Sequence, residues 1–548
     1  MNNQMNFLNP KAYLIVLALL LLVLGGCSKA ATNTETVANT TDTADAPKMT
    51  LTVAVATDPG IDQLDAGGYD GSMQLQPMIY DGLVDYGPKG EILPSLAESW
   101  DISEDGKVYT FHLREGVLFS DGTPFNAEVV RFSFERWVHD PANSLQVATA
   151  LEAIETPDEH TVVLRFDKAY YPFLTELAFA RPVRMISPSA VEPAGDSAGR
   201  FVEAIGTGLW IAESYERDRE TVLVPNPHYW GKAPHLDRIV LKVIPDSQSR
   251  VLALQSGEVD IVGTQLGRLP IESLPVIEAD AQLTLQRTAG TNSHFVIFNG
   301  SHPALQQLQV RQAINLAIDK KSIVDDLMDG IGSEAQGLFP LTVPYVTEQN
   351  QQWYSYDPAA AASLLAEAGY NDTDGDGIVE ADGQPLTLRL VLQQAEFPEW
   401  KPIGELIQHE LAAIGIDAQL QVLEPNAYYD TLWTTREYDM ILYRTYDDAY
   451  NPHAFLQSLF HHTAEAPAVA WSDSELESLI QMALATTATD DRQKAYDAIF
   501  ARMYEEAMFA AVYFPEELAA IQRHVEGFAF GDATFSPIRW GELKRGDR

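Results

Sequence analysis

Apolar and polar positions follow two different periods along this chain, and the period switches often. Leu51, Val53 and Val55 take every second place between small or polar residues, as in a strand with one buried face. Tyr109, Phe111 and Leu113 repeat that alternation and stop at Glu115-Gly116. Asp121-Gly122 then marks a turn, and Phe125 leads into a helix expected over 127–137. Further strands are expected at 161–166, 221–225, 238–244, 293–298, 386–392 and 418–423. The helical period is plainest over 310–327, where Val310, Ala313, Ile314, Ala317, Ile318, Val324 and Leu327 form one apolar stripe. A second helix is expected over 402–414, with Gly415 as its C-cap. Strands and helices intermix throughout, so the fold class is α/β, and no fixed-period repeat is visible.

The first 48 residues differ in kind. Lys11 precedes an apolar run of 13 residues, Ala12 to Leu24. That is short of the roughly 20 residues a membrane-spanning helix needs, and it fits the apolar region of a signal peptide. The ending Leu24-Gly25-Gly26-Cys27 resembles the lipobox of bacterial lipoproteins, which implies that Cys27 is acylated and becomes the new N-terminus after residues 1–26 are removed. Residues 27–48, rich in Ala, Thr, Asn and Asp, cannot bury a core and read as a flexible tether. Cys27 is the single cysteine, so neither an intrachain disulfide nor a thiolate metal cluster can form.

A chain of 548 residues is too long for one core, and two to four domains are expected. A composition of 46% hydrophobic, 10% aromatic and 21% charged residues excludes a disordered chain and a polytopic membrane protein. Charge narrows the partners: 36 basic against 78 acidic residues give a formal net charge of −42, which repels nucleic acid and anionic lipid surfaces. A sheltered pocket can still hold arginines that the sum hides.

Several motifs carry a family resemblance. Tyr80-Asp81-Gly82-Leu83-Val84, Pro94-Ser95-Leu96-Ala97-Glu98-Ser99-Trp100 and Phe119-Ser120-Asp121-Gly122-Thr123-Pro124-Phe125 open the series. Asn226-Pro227-His228-Tyr229-Trp230, Leu254-Gln255-Ser256-Gly257-Glu258-Val259-Asp260 and Val310-Arg311-Gln312-Ala313-Ile314-Asn315 continue it. Together they resemble the large solute-binding proteins of peptide and nickel ABC importers, from about residue 50 to the end. The resemblance implies a two-lobed periplasmic-binding-protein fold, class II of the large peptide/nickel type. Lobe one would take 50–290 plus 512–548, with an inserted subdomain at about 87–204, and lobe two 291–511. It further implies a monomeric receptor, periplasmic or at the cell surface and lipid-anchored, that encloses a small molecule by hinge closure and hands it to permease subunits.

Within that family, Ala169-Tyr170-Tyr171-Pro172-Phe173-Leu174 with Ala180-Arg181-Pro182-Val183-Arg184 is similar to the nickel-receptor branch. So is the stretch from Tyr443-Arg444-Thr445-Tyr446 to Tyr450-Asn451-Pro452-His453. This implies Arg181 as a carboxylate clamp, Tyr446 and Tyr450 as cleft aromatics, Met73 as a cleft methionine, and Tyr69 and Arg444 in the same set. A planar guanidinium suits the carboxylates of a metal chelate, and tyrosines suit its flat apolar edge. The cargo implied is nickel or another divalent metal inside a chelator, with no resident cofactor. His462, and second to it His461, lies close to where that branch carries a metal-touching histidine.

The pattern also departs from that branch. Asp140-Pro141-Ala142-Asn143-Ser144 stands where a further arginine and tryptophan are expected, and Tyr446 replaces a tryptophan. A di- or oligopeptide is therefore the alternative ligand. An enzyme is disfavoured: His409-Glu410 begins a zinc-protease motif, but Ala413 occupies the second ligand position. Asp372, Asp374 and Asp376 resemble half a calcium loop whose twelfth position is Gly383 instead of a glutamate. They read first as an acidic turn and second as a structural calcium site.

Overall fold

Thr50–Val55, the first alternating segment, is a central strand with strands parallel to it on both sides, Arg238–Val243 and Ile261–Gly263. Around it runs a seven-stranded mixed sheet in the order Trp210–Glu216, Glu220–Pro225, Arg238–Val243, Thr50–Val55, Ile261–Gly263, Glu516–Gln522, Leu283–Ala289. A second sheet of six strands has the order Ser333–Glu334, Phe509–Phe514, His294–Phe298, Met440–Arg444, Thr387–Leu392, Asp417–Val422. A third, four-stranded and antiparallel, is built from Ala97–Ile102, Val108–Leu113, Thr161–Phe166 and Leu151–Asp158. This computed structural model describes residues 49–546 except 69–70, 140–149, 181–182, 447–449, 451, 463–467 and 534. The expected signal peptide, tether and Cys27 lie outside the described residues.

Among the described residues the chain passes between the two large sheets twice: from Ala289 to His294, and through Pro515 between Phe514 and Glu516. The passages touch. Gly290 N–H donates to the Pro515 carbonyl at 3.1 Å, and a Cβ on Gly290 would fall 2.4 Å from that oxygen. Only glycine admits such a backbone approach.

The four-stranded sheet turns Tyr109, Phe111 and Phe166 onto Phe173, with Tyr109 and Phe173 ring centroids 4.8 Å apart. Edge-to-face rings at this spacing add about 0.5–1.5 kcal/mol each beyond area burial. This cluster fixes the helix Phe173–Ala178, which starts immediately after Tyr170-Tyr171-Pro172.

One expectation is corrected. The single helix expected over 310–327 is broken: Leu308–Ala317 is a helix, Ile318 is extended, and winding resumes at Lys320–Ser322 and Ile323–Leu327. Asp319 is responsible, because its carboxylate accepts the Lys321 and Ser322 amides and caps a fresh start. Buried Lys320 follows, donating to the carbonyls of Ala335 and Tyr354 at 2.8 and 2.9 Å, and burial drags its ammonium down to about 8. The apolar stripe survives the break, so periodicity alone does not reveal it.

The helix Trp400–Ala413 packs against the second sheet. His409 is exposed on it, whereas Glu410 is buried and accepts the Asp319 amide at 3.1 Å. Burial, reinforced by the Asp319 charge, pushes the Glu410 carboxyl up from an ordinary 4.5 to about 7. The folded value lies above the unfolded one, so the stability contributed by the protonated group is full below about 4.5 and lost as pH rises through 7. Glu410→Gln keeps the acceptor for Asp319 and removes the titration. It is expected to raise thermal stability at pH 8 by about 1–3 kcal/mol and to flatten the decline between pH 4.5 and 8. Parallel melts of both proteins across that range check this; an unchanged slope would mean that another group titrates.

Candidate functional site

The second sheet ends in a row of side chains supplied by three neighbouring strands. Register places Arg444 and Tyr513 on either side of His294. His294 is fully buried, and its Nδ1 accepts Trp400 Nε1–H at 2.9 Å, so the ring proton sits on Nε2. Among the described residues Nε2 has no hydrogen-bond partner. Burial, with Arg268 and Arg444 nearby, holds this imidazole well below its usual range, and the ring is neutral.

The loop following the strand Thr387–Leu392 covers the row. Phe397 stacks on Trp400 with centroids 4.2 Å apart, and two guanidiniums face its ring. Arg444 Cζ lies 5.3 Å from the centroid, and Arg268, from the segment after the strand Ile261–Gly263 of the first sheet, lies 5.5 Å from it. Arg268 donates to Gln265 Oε1 at 2.9 Å, and Gln265 donates in turn to Glu517 Oε1 at 2.7 Å. On the same loop Glu399 accepts the Tyr513 hydroxyl at 3.4 Å, and burial raises its carboxyl, with Arg268 opposing. Gln265 also lines a shallow hollow together with Thr57, Pro59, Ser72 and Gln74. Met73, between the last two, is partly buried against the core.

The remaining expected site residues are distributed as follows. Tyr446 is partly buried, its hydroxyl 2.5 Å from Ser458 Oγ and its ring edge-to-face with Phe455 at 4.9 Å. Tyr450 is buried, packed at 5.0 Å on Tyr86 from the hairpin Val84–Tyr86/Ile92–Pro94, with Gly90 leaving room for its ring. Its surroundings are those of a packing residue between the second sheet's loops and that hairpin. Arg181 and Tyr69 lie outside the described residues. The approach to Arg181 is firmly held: buried Arg184 donates to the carbonyls of Ala178, Phe179 and Ala180 at 2.6–3.1 Å. His461 is exposed and its Nδ1 pairs with Glu477 Oε1 at 2.8 Å, whereas His462 has a buried Nδ1 with no partner among the described residues.

The acidic turn is a closed device. Asp372 accepts the Gly375 and Gly377 amides, Asp374 that of Asp376, and Asp376 that of Ile378. Glu380 is taken by the Thr373 amide at 2.9 Å. The three aspartates still place carboxylate oxygens within 4.8 Å of one another on the exposed surface.

Arg268, His294, Phe397 and Glu399 were not singled out from the sequence. The signal was present but diffuse: an aromatic and acidic loop, Glu396-Phe397-Pro398-Glu399-Trp400, at the carboxyl end of a parallel strand, where α/β sheets bind ligands.

Comparison with known proteins places this geometry. Residues 91–467 match the family model of bacterial extracellular solute-binding proteins, family 5 Middle. The chain is 32% identical to the nickel-binding periplasmic protein of Escherichia coli over 85% of its own length and 88% of that protein. It is 28% identical to a probable D,D-dipeptide-binding periplasmic protein of the same organism, over 82% and 86%. The crystal structure of NikA from Brucella suis in complex with Fe(III)-EDTA superposes with a TM-score of 0.83 at 31% identity, covering 90% of this chain and 99% of that one. The chain therefore belongs to the bacterial extracellular solute-binding proteins, family 5, and is a two-lobed receptor, not an enzyme.

Proposed function

We propose that the protein captures a metal held in a carboxylate-bearing chelator, of the nickel type, and delivers it to the permease of an ABC importer. The observation that carries this reading is the pair of guanidiniums, Arg268 and Arg444, facing Phe397 from opposite sheets in a chain of net charge −42. A cationic recess built against that overall charge suits an anion, and the apolar ring between the arginines suits the edge of a chelate. Two similar receptors, nickel-binding in one case and crystallised with Fe(III)-EDTA in the other, support it. A second reading, a short peptide, has its own support: Glu399 lies in the same recess, where an α-amino group needs an acidic partner, and the D,D-dipeptide relative is nearly as similar. Native mass spectrometry with elemental analysis, on protein purified without stripping, separates the two. A stoichiometric metal with chelator mass supports the first, and a metal-free peptide mass overturns it in favour of the second.

Under this reading the chain is anchored by lipid on Cys27 outside the inner membrane, and among the described residues no helix is long and apolar enough to cross one. Several acyl chains at about 0.8 kcal/mol per buried methylene hold a protein stably. Cys27→Ala is expected to leave the protein unprocessed or released on membrane fractionation; a variant still lipidated and sedimenting with membranes would end the assignment.

Arg181 acts as the carboxylate clamp. Loss of a desolvated charge-assisted pair costs about 2–5 kcal/mol, so Arg181→Ala should weaken Fe(III)-EDTA binding well over tenfold by calorimetry. Arg181→Lys should recover little, because a point charge lacks the planar fork. Wild-type affinity in Arg181→Ala would make the residue structural.

His462 is the metal-contacting histidine of the pair, since His461 is engaged by Glu477. His462→Ala should lose the visible absorption bands of nickel presented as its L-histidine complex, while His461→Ala keeps them. Bands that survive His462→Ala would assign the whole coordination sphere to the chelator.

A further inference from the structure

Away from the Phe397 recess, one side chain bridges the two lobes in a socket built for it. Tyr171 belongs to the four-stranded sheet's subdomain, two residues before Phe173, which that sheet's aromatic cluster holds. Its ring enters a cup made by residues of the segment that carries the second sheet. Arg492 Cζ lies 4.0 Å above the Tyr171 centroid, Tyr345 and His453 meet the ring edge-to-face at 6.2 and 5.9 Å, and the Tyr171 and Tyr496 hydroxyls are 2.6 Å apart.

The cup is rigid in its own right. Tyr345 and Tyr496 are stacked at 4.4 Å with their planes within 2°. Arg492 is fixed on all sides, donating to the Tyr345 hydroxyl at 2.9 Å and to the Thr486 and Thr487 carbonyls at 2.8 and 2.9 Å. Tyr345 is held at φ 68°, a left-handed conformation that an aromatic residue rarely adopts, with its carbonyl taken by Asn350 and Gln493. Backbone conformations of this kind persist where the surroundings over-determine them, and here the beneficiary is the ring that receives Tyr171. None of these contacts involves the Phe397 recess.

We propose that Tyr171 and the cup of Tyr345, Arg492 and Tyr496 form a clasp that holds the lobes closed without ligand and so sets the open–closed equilibrium of the receptor. The apparent affinity of such a receptor is its intrinsic affinity reduced by the fraction of molecules in the binding-competent form. The clasp therefore scales affinity for whatever the protein binds and leaves the choice of ligand to the cleft.

Small-angle X-ray scattering on the ligand-free protein tests this, with amide hydrogen exchange over Thr489–Glu505 as a second readout. The wild type should scatter as the closed molecule. Tyr171→Ala should enlarge the radius of gyration and speed exchange in that helix by about tenfold or more. Tyr171→Phe and Tyr496→Phe, which keep the rings and lose only the hydroxyl contact, should fall between, and they carry the test if the alanine variant fails to fold. Superimposable scattering curves for wild type and variants, open or closed, would overturn the clasp, as would a lowered melting temperature with unchanged curves. Both readouts need no ligand, so failure of Fe(III)-EDTA to bind would count against the ligand reading and leave the clasp standing.

Discussion

The two large sheets of this molecule are connected by two backbone passages that touch. The chain leaves the first large sheet after Ala289 and returns at Pro515, and at that crossing Gly290 donates to the Pro515 carbonyl. A side chain on Gly290 would collide with that oxygen, so the crossing stays thin. Thin passages between two packed bodies absorb rotation at a few dihedrals while the sheets keep their shape. Residues from opposite lobes can thus be brought to one point, as Arg268 and Arg444 are at Phe397, without remodelling either core.

That point gathers two guanidiniums from opposite lobes around one phenyl ring. A single exposed arginine beside a phenyl ring gains about 0.5–1 kcal/mol, rising to about 2 when water is excluded. Two guanidiniums facing one ring repel each other, and burial together with both arginines keeps the nearby His294 neutral, so it adds no third positive charge. Glu399 on the same loop sets a carboxyl against the Arg268 charge, and burial raises that carboxyl.

How much of this could be read from the sequence depends on how local the cause is. Strands whose faces alternate, such as Thr50–Val55 and Val108–Leu113, were legible because one buried face dictates a period of two. The break at Ile318–Asp319 was not, because a capping carboxylate interrupts the helix without interrupting the apolar stripe. The recess was legible in part. Arg444 stands out beside Tyr446, but Arg268 meets it only through the folding of two sheets. Tyr450 reads as a ligand aromatic and packs on Tyr86, since an aromatic beside a cleft and one beneath its wall have the same local sequence. Sequence position alone ranks His462 ahead of His461, and it gives no sign that the helix carrying Glu477 engages His461.

Affinity and selectivity are then separable in this fold for a physical reason. Selectivity requires a difference in free energy between ligands, and only groups that touch the ligand can supply it. The opening equilibrium involves no ligand, so groups acting on it multiply every affinity by a common factor. Buried contacts that bridge the lobes outside the recess belong to the second class, and their strength is bounded on both sides. Too weak, and each binding event must supply the cost of closing; too strong, and the lobes do not part to admit or release the cargo. A socket of aromatic rings and one fixed guanidinium suits that middle range, since each contact is worth about 1 kcal/mol and all of them separate together.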